Sequence, residues 1–256
     1  MAAVDLYNSP LVKQLAANDR ATREKAVLSL RTYLLHRPTI PYPELLKLWK
    51  GLFYCMWLCD RPKPQQRLAQ DLAGLVDVLK RETFVPFVDA FFETMKREWR
   101  GVDVLRMNKF LYLVRCIVGR AWTYLGRKGW EDAELLRRYL DALRKTPLEP
   151  RDGRIPNGLR YHLIDIYLDE LDKVDEGRSG KMPLDTLLEP LRELSRDTDN
   201  KVVRQKVKEA LEDERLKGWN DPMAAIGSAS EEEGQDDATD GDAQENEDDD
   251  WAGIEE

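Results

Sequence analysis

The chain contains 256 residues and carries a formal net charge of −8, which is unevenly distributed. Residues 227–256 hold 14 Asp or Glu and no Lys or Arg, so residues 1–226 keep 34 acids and 40 bases, a net charge of +6. No apolar run reaches the roughly 20 residues of a membrane span. The N-terminal residues lack the basic and apolar segments of a secretory signal, and three cysteines indicate a reducing compartment.

Helical periodicity extends through most of the chain. In order, we predict helices over 10–17, 20–36, 43–59, 64–81, 84–100, 103–126, 131–145, 159–174, 184–196 and 200–217. About ten helices joined by short links in antiparallel pairs indicate an all-α, HEAT-like α-solenoid over residues 1–217. A globular helical bundle is the alternative fold.

Apolar side chains recur at helical spacing and predict which faces are buried. The stripe of the helix 64–81 consists of Leu68, Leu72, Leu75 and Leu79. The stripe of the helix 103–126 consists of Leu105, Leu111, Val114, Val118 and Trp122. The helix 43–59 is apolar on most sides, so we expect it to lie mainly in the core, and a partial interface with a partner is the alternative.

Residues 218–256 form the second predicted region, a disordered acidic tail. Within it, residues 227–256 have Trp251 and Ile254 as their only large apolar residues, too few to offset the entropy lost on folding. The tail either keeps a basic protein soluble, or acts as a polyanion that shields the basic surface or binds basic partners.

The sequence contains no catalytic motif, and we predict no enzyme, metal or cofactor site. His36 and His162 are isolated, and Cys55 with Cys59 lacks a second pair of ligands to complete a structural zinc site. The carboxylates of the helix 159–174 have the spacing for acid–base chemistry, but abundant neighbouring charges favour a solvated face or a partner contact.

Basic residues are concentrated between Lys96 and Lys128, with nine bases against two acids. Four of them, Arg106, Lys109, Arg120 and Arg127, fall within about 60° on a helical wheel. A basic ridge of this kind favours contact with an RNA backbone, and a solvated helix face is the alternative. The predicted RNA-binding residues are Arg97, Arg100, Arg106, Lys109, Arg115, Arg120, Arg127 and Lys128.

Three segments resemble one protein family. They read WKGLFYCMWLCDRPKPQQRLAQDLA (49–73), VDVLRMNKFLYLVRCIV (102–118) and NGLRYHLIDIYLDELDKV (157–174). They are similar to the ribosomal RNA-processing protein 1 family, particularly to its fungal members. The resemblance covers about residues 8–217. Family members commonly continue into a basic C-terminal region, whereas this sequence ends in an acidic tail. The resemblance therefore implies that the sequence is a shortened form of a longer protein.

The resemblance implies a non-catalytic nucleolar assembly factor of the 60S pre-ribosome that is needed for processing of 27S pre-rRNA. Its implied partners are assembly factors, ribosomal proteins and pre-rRNA, with no membrane and no small-molecule substrate, and the chain would act as a monomer within a large particle. An adaptor that contacts only proteins is the alternative. The family-like positions expected to contact partners are Lys50, Tyr54, Trp57, Asp60, Arg160, Asp165 and Asp169.

Overall fold

A computed structural model describes residues 10–220, apart from Ala16, Lys128 and the side chains of Val12 and Asn220. Within these residues the helices are α1 (Pro10–Leu15), α2 (Arg20–His36), α3 (Tyr42–Trp57), α4 (Pro62–Ala73), α5 (Arg81–Glu98), α6 (Val104–Gly126), α7 (Ala133–Lys145), α8 (Asn157–Asp172), α9 (Leu184–Asp197), α10 (Lys201–Leu211) and α11 (Arg215–Asn220). Two 3-10 helices, Gly74–Val78 and Trp99–Gly101, follow α4 and α5. None of the described helices is long and apolar enough to cross a membrane.

The helices are arranged in two layers. In one layer α3, α5, α7 and α9 pack side by side in that order, and in the other layer α4, α6, α8 and α10 do the same. At the N-terminal end, α1 packs on α2 and α3, and α2 packs on the 3-10 helix after α4. This serial packing of helix pairs confirms the predicted all-α, solenoid-like fold.

Side-chain caps define where several helices begin. Asp19, Asp103, Asp132 and Asn200 each accept a hydrogen bond from a backbone N–H of the first turn that follows, at 2.8–3.0 Å. These caps satisfy donors that have no partner within the helix.

The predicted core is largely confirmed. All four leucines of the stripe in 64–81 are buried, although the α-helix ends at Ala73 and the last two leucines lie on or just after the 3-10 helix. On α3, Trp49 is fully buried between Phe87 and Phe91 of α5, and its indole N–H donates to the Phe87 carbonyl oxygen at 2.8 Å. The α3–α5 contact therefore joins aromatic packing with a buried hydrogen bond.

Two sequence expectations were wrong in detail. Leu105, assigned to the buried stripe of α6, is 93% exposed, because at 100° per residue it lies about 180° from the buried Val114 and so on the opposite face of the helix. The predicted helix 200–217 is divided into α10 and α11, since the Asp213 carboxylate accepts the Arg215 backbone N–H at 2.9 Å and starts a new turn. The expected tail lies almost entirely outside the described residues, so its disorder and the boundary at 217 stay predictions.

Two leucines of α6 provide a matched test of this burial pattern. Leu113 is fully buried, so Leu113→Ala should lower the free energy of unfolding by about 2–5 kcal/mol through lost burial and a residual cavity. Leu105→Ala should change it by no more than about 0.5 kcal/mol. Urea unfolding followed by tryptophan fluorescence measures both, and equal losses would contradict the assignment of the two faces.

Candidate nucleic-acid interface

Lys109 is the predicted RNA-binding residue whose position differs most from the expectation. Its side chain is buried, and its ammonium donates to the carbonyl oxygens of Trp57 and Cys59, each at 2.8 Å. Burial lowers the pKa of Lys109, an effect that Asp60, 3.9 Å away, opposes. Lys109 therefore satisfies carbonyls at the C-terminal end of α3 and is not available to RNA.

Arg115 joins α6 to α8. It forms an ion pair with the half-buried Asp169, and its Nε lies 3.1 Å from a carboxylate oxygen of the buried Glu170. The helical wheel correctly separated Arg115 from the other bases, and its partners show that this side of α6 faces the next helix of the layer.

The other described bases of the α6 ridge also have partners within the protein. Arg120 and Arg127 both pair with Asp77 on the 3-10 helix after α4, Arg120 at 3.5 Å. Arg106 pairs with Asp103 and places its guanidinium 4.8 Å from the centre of the Trp57 ring. The ridge thus exists as a line of bases, but carboxylates neutralise much of its charge.

The position of the buried face explains this neutralisation. The core residues Phe110, Leu113 and Ile117 occupy the adjoining part of the wheel, so the four clustered bases lie at its margin. A base at the margin of a packed face meets groups of the neighbouring elements, which here are the end of α3 for Lys109 and the 3-10 helix after α4 for Arg120 and Arg127. Lys128 lies outside the described residues.

Arg97 and Arg100 are the predicted residues that remain most open to solvent. Arg97 is exposed and pairs only with its neighbour Glu98, at 2.8 Å. Arg100 is exposed in the 3-10 helix after α5 and pairs with no carboxylate of the described residues. The available positive charge therefore lies at the C-terminal end of α5 more than on α6.

The predicted partner-contact residues separate into surface and internal positions. Lys50, Tyr54 and Asp60 are exposed, and Trp57 is half-buried against Phe110. The first three are accessible to another protein, whereas Trp57 also supports the α3–α6 packing.

The remaining three candidates hold elements of the body together. Arg160 is buried and donates to the carbonyl oxygens of Glu149 at 2.7 Å and Asp152 at 3.4 Å, which fixes the α7–α8 loop. Asp165 pairs with Lys206 of α10 at 2.7 Å, and Asp169 pairs with Arg115 and with Arg215, the latter at 3.1 Å. Arg160 is thus excluded as a contact residue, and both aspartates have partners in the protein.

The side chains considered for catalysis have structural surroundings. His162 is half-buried, a ring nitrogen lies 2.8 Å from the Leu111 carbonyl oxygen, and burial lowers its pKa. Burial raises the pKa of the Cys55 thiol to about 12, so it is protonated and a weak nucleophile at neutral pH. Among the described residues no three His, Cys, Asp or Glu side chains cluster as metal ligands would.

Comparison with known proteins provides the family. The family model described as "Nucleolar protein, Nop52" matches residues 7–254. The chain belongs to this family. Membership confirms the predicted nucleolar localisation and extends over the whole described body.

The curated relatives of this Nop52-family chain are named as homologs of ribosomal RNA processing protein 1. The human ribosomal RNA processing protein 1 homolog B is 42% identical over 168 residues, which cover 63% of this chain and 22% of the relative. The mouse homolog A is 33% identical over 207 residues, covering 78% and 42%, and the Drosophila melanogaster homolog is 29% identical over 202 residues, covering 76% and 29%. The resemblance is therefore confirmed, although the chain spans less than half the length of these relatives. The particular likeness to fungal members stays a prediction.

Replacement of Lys109 tests its structural role. Lys109→Met should lower the free energy of unfolding by about 2–3 kcal/mol, because a charged donor to two buried carbonyls is lost. Affinity for RNA should stay unchanged. The exposed Lys63→Met is the matched control and should alter neither quantity. Weaker RNA binding by Lys109→Met at unchanged stability would show that Lys109 does reach RNA.

Proposed function

We propose that this protein is a non-catalytic assembly factor of the 60S pre-ribosome, a helical scaffold that binds assembly factors, ribosomal proteins and pre-rRNA during processing of 27S pre-rRNA. The observation that carries the proposal is the match of residues 7–254 to a nucleolar family, together with relatives named for ribosomal RNA processing. The two-layer body suits this role, because it presents many helix ends and faces on one packed core.

RNA contact rests on the bases that remain exposed. Arg97 and Arg100 provide charge at the end of α5, and the ion pairs of Arg120 and Arg127 with Asp77 are partly exposed. Such a pair stabilises a protein by only about 0–1 kcal/mol, so an incoming phosphate can replace the carboxylate. Arg106 contributes in the same way, and Lys128 stays a candidate by its position in the sequence. Protein contacts are assigned to Lys50, Tyr54 and Asp60, which are exposed on and just after α3.

The alternative is a protein-interaction adaptor without direct RNA contact. The internal pairing of the α6 bases favours this alternative, since it reduces the positive potential along that helix. The two functions differ in how binding to the pre-ribosome depends on salt, because RNA contacts release counterions and weaken as salt increases.

Two double variants of equal charge separate these functions. Arg97→Gln with Arg100→Gln should reduce co-sedimentation with pre-60S particles and make the remaining binding less sensitive to salt. Arg120→Gln with Arg127→Gln should have a smaller effect, because Asp77 already neutralises part of that charge. Sucrose-gradient sedimentation between 50 and 300 mM KCl measures both. Wild-type sedimentation and salt dependence in both variants would favour the adaptor.

The non-catalytic character is tested with purified protein. We expect no magnesium-dependent cleavage of a transcript that spans an internal transcribed spacer, because the acidic residues Asp165 and Asp169 are occupied by ion pairs. Asp169→Asn provides the control. Cleavage by the wild type that disappears in this variant would contradict the proposal and indicate a nuclease.

A further inference from the structure

A cleft of about 590 Å³ lies where the C-terminal ends of α5 and α7 meet the N-terminal half of α3. The side chains around it come from four separate parts of the chain, including the α7–α8 loop. Its charged lining consists of five bases, Lys96, Arg97, Arg100, Lys145 and Arg154, and two acids, Asp89 and Glu93. We infer that this cleft binds the phosphates of a single-stranded RNA segment, which rests on the RNA contact of the proposed function and assigns it a site.

Two of these bases have no carboxylate partner among the described residues. Arg100 and Lys145 are both exposed, and neither side chain forms a hydrogen bond or ion pair with the described residues. On α6, by contrast, each described base of the ridge is paired or buried. Two unneutralised bases from separate elements that line one cleft make a local excess of positive potential, which attracts a polyanion.

Two further bases of the cleft have carboxylate partners that a phosphate can replace. Arg154 pairs with Asp152 at 2.8 Å while its side chain is 81% exposed, and the exposed Arg97 pairs with the adjacent Glu98. Solvent screens these pairs, so they stabilise the protein little. Both arginines can therefore turn towards a phosphate at small cost, and arginine can bind its oxygens through two parallel hydrogen bonds.

Lys96 has a different role in the same cleft. Its side chain is only 14% exposed and lies between Glu93 at 3.3 Å and Asp152 at 3.1 Å, so it ties α5 to the α7–α8 loop. The hydrogen bonds from Arg154 and Lys96 keep the pKa of Asp152 below its usual range. Lys96 is thus a positioning residue that sets the width of the cleft.

Both carboxylates in the lining have donors within the protein, which are neutral hydroxyls for Asp89 and an ammonium for Glu93. Asp89 accepts hydrogen bonds from the Tyr42 hydroxyl at 2.6 Å and the Thr146 hydroxyl at 2.8 Å, and Glu93 accepts from Lys96. Burial and the contact with Asp89 raise the pKa of Tyr42, so it remains a donor at neutral pH. Both acids are thus already hydrogen-bonded, and the bases that have no carboxylate partner leave the cleft with an excess of positive charge.

The placement of bases at helix ends has a simpler explanation, which covers only part of the cleft. Basic residues in the last turn of a helix oppose its dipole, and this accounts for Arg97 on α5 and Lys145 on α7. Arg100 and Arg154 lie beyond the ends of these α-helices. Their convergence on the same cleft is therefore not a consequence of helix stabilisation.

The shape of the site selects the form of the RNA. The volume falls within the range of roughly 300–1,000 Å³ typical of small-ligand sites, which admits an extended nucleotide or two. A duplex could reach only the rim, because its phosphates lie on the outside of a wide cylinder, whereas a single strand can follow a basic groove. Since the contacts are to phosphate, binding should depend weakly on base sequence.

Fluorescence anisotropy with the full chain tests the site. The probe is a labelled single-stranded RNA of about 20 nucleotides, titrated between 50 and 200 mM KCl, with the matching duplex as a second probe. The variant Arg100→Glu, Lys145→Glu, Arg154→Glu should lose at least about tenfold in affinity for the single strand. For this variant, the slope of log affinity against log salt concentration should become shallower by about 2, since each lost phosphate contact accounts for about 0.7 of the slope.

The control has the same change in charge elsewhere on the body. Lys201→Glu, Lys208→Glu, Lys217→Glu alters exposed lysines of α10 and α11 and should keep the affinity within about threefold and the salt slope unchanged. The version of the cleft variant with glutamine at the same three positions should also bind the single strand more weakly. Its melting temperature shows whether a loss of affinity comes from misfolding.

Equal losses in cleft and control variants would overturn the site while leaving RNA contact intact, and tighter binding of the duplex would overturn the single-strand preference. No binding of either probe by the wild type would overturn the RNA contact of the proposed function as well.

Discussion

Positive charge at the margin of a packed helix has to be matched by a partner inside the protein, and this constraint shapes the centre of the molecule. Removing an unpaired charge from water costs several kcal/mol, so partly buried bases retain carboxylates or carbonyls within reach. On α6, Lys109 meets the carbonyls at the end of α3, Arg115 meets α8, and Arg120 and Arg127 share Asp77. These bases connect α6 to neighbouring helices on several sides.

The same constraint determines where charge remains for a partner. Bases that join helices are poor ligands for RNA, because a phosphate must first displace an existing contact. The ends of α5 and α7 are different, since Arg97, Arg100 and Lys145 there are exposed to solvent. The bases with structural contacts are therefore concentrated on α6, and those most available to a partner are concentrated at the ends of α5 and α7.

The sequence was sufficient for local structure and for the family. Leucines at helical spacing predicted the buried face of 64–79, helical periodicity predicted most of the helices, and the segment 49–73 carried a specific family resemblance. These features depend on residues close together in the chain, where spacing alone decides which side chains share a face. Leu105 was misassigned, because a helical wheel places it about 180° from Val114, on the exposed face of α6.

The candidate surface depended on contacts that spacing does not encode. Asp77 lies 50 residues from Arg127, and Asp152 lies 56 residues from Lys96, so neither pair follows from periodicity within one helix. The wheel grouped the α6 bases correctly but could not distinguish a solvent-facing ridge from the edge of a packed face. For the same reason Lys145 and Arg154 were absent from the predicted RNA-binding residues, although they share a cleft with Arg97 and Arg100.

The most direct measurement is ultraviolet cross-linking of RNA to this protein within purified pre-60S particles, with the adducts mapped by mass spectrometry. The account predicts most nucleotide adducts on peptides that contain residues 96–101 and 145–154, and fewer on the α6 segment 106–120. Adducts on 106–120 with none at the ends of α5 and α7 would contradict it. So would the absence of any RNA adduct on a chain that is firmly bound to the particle.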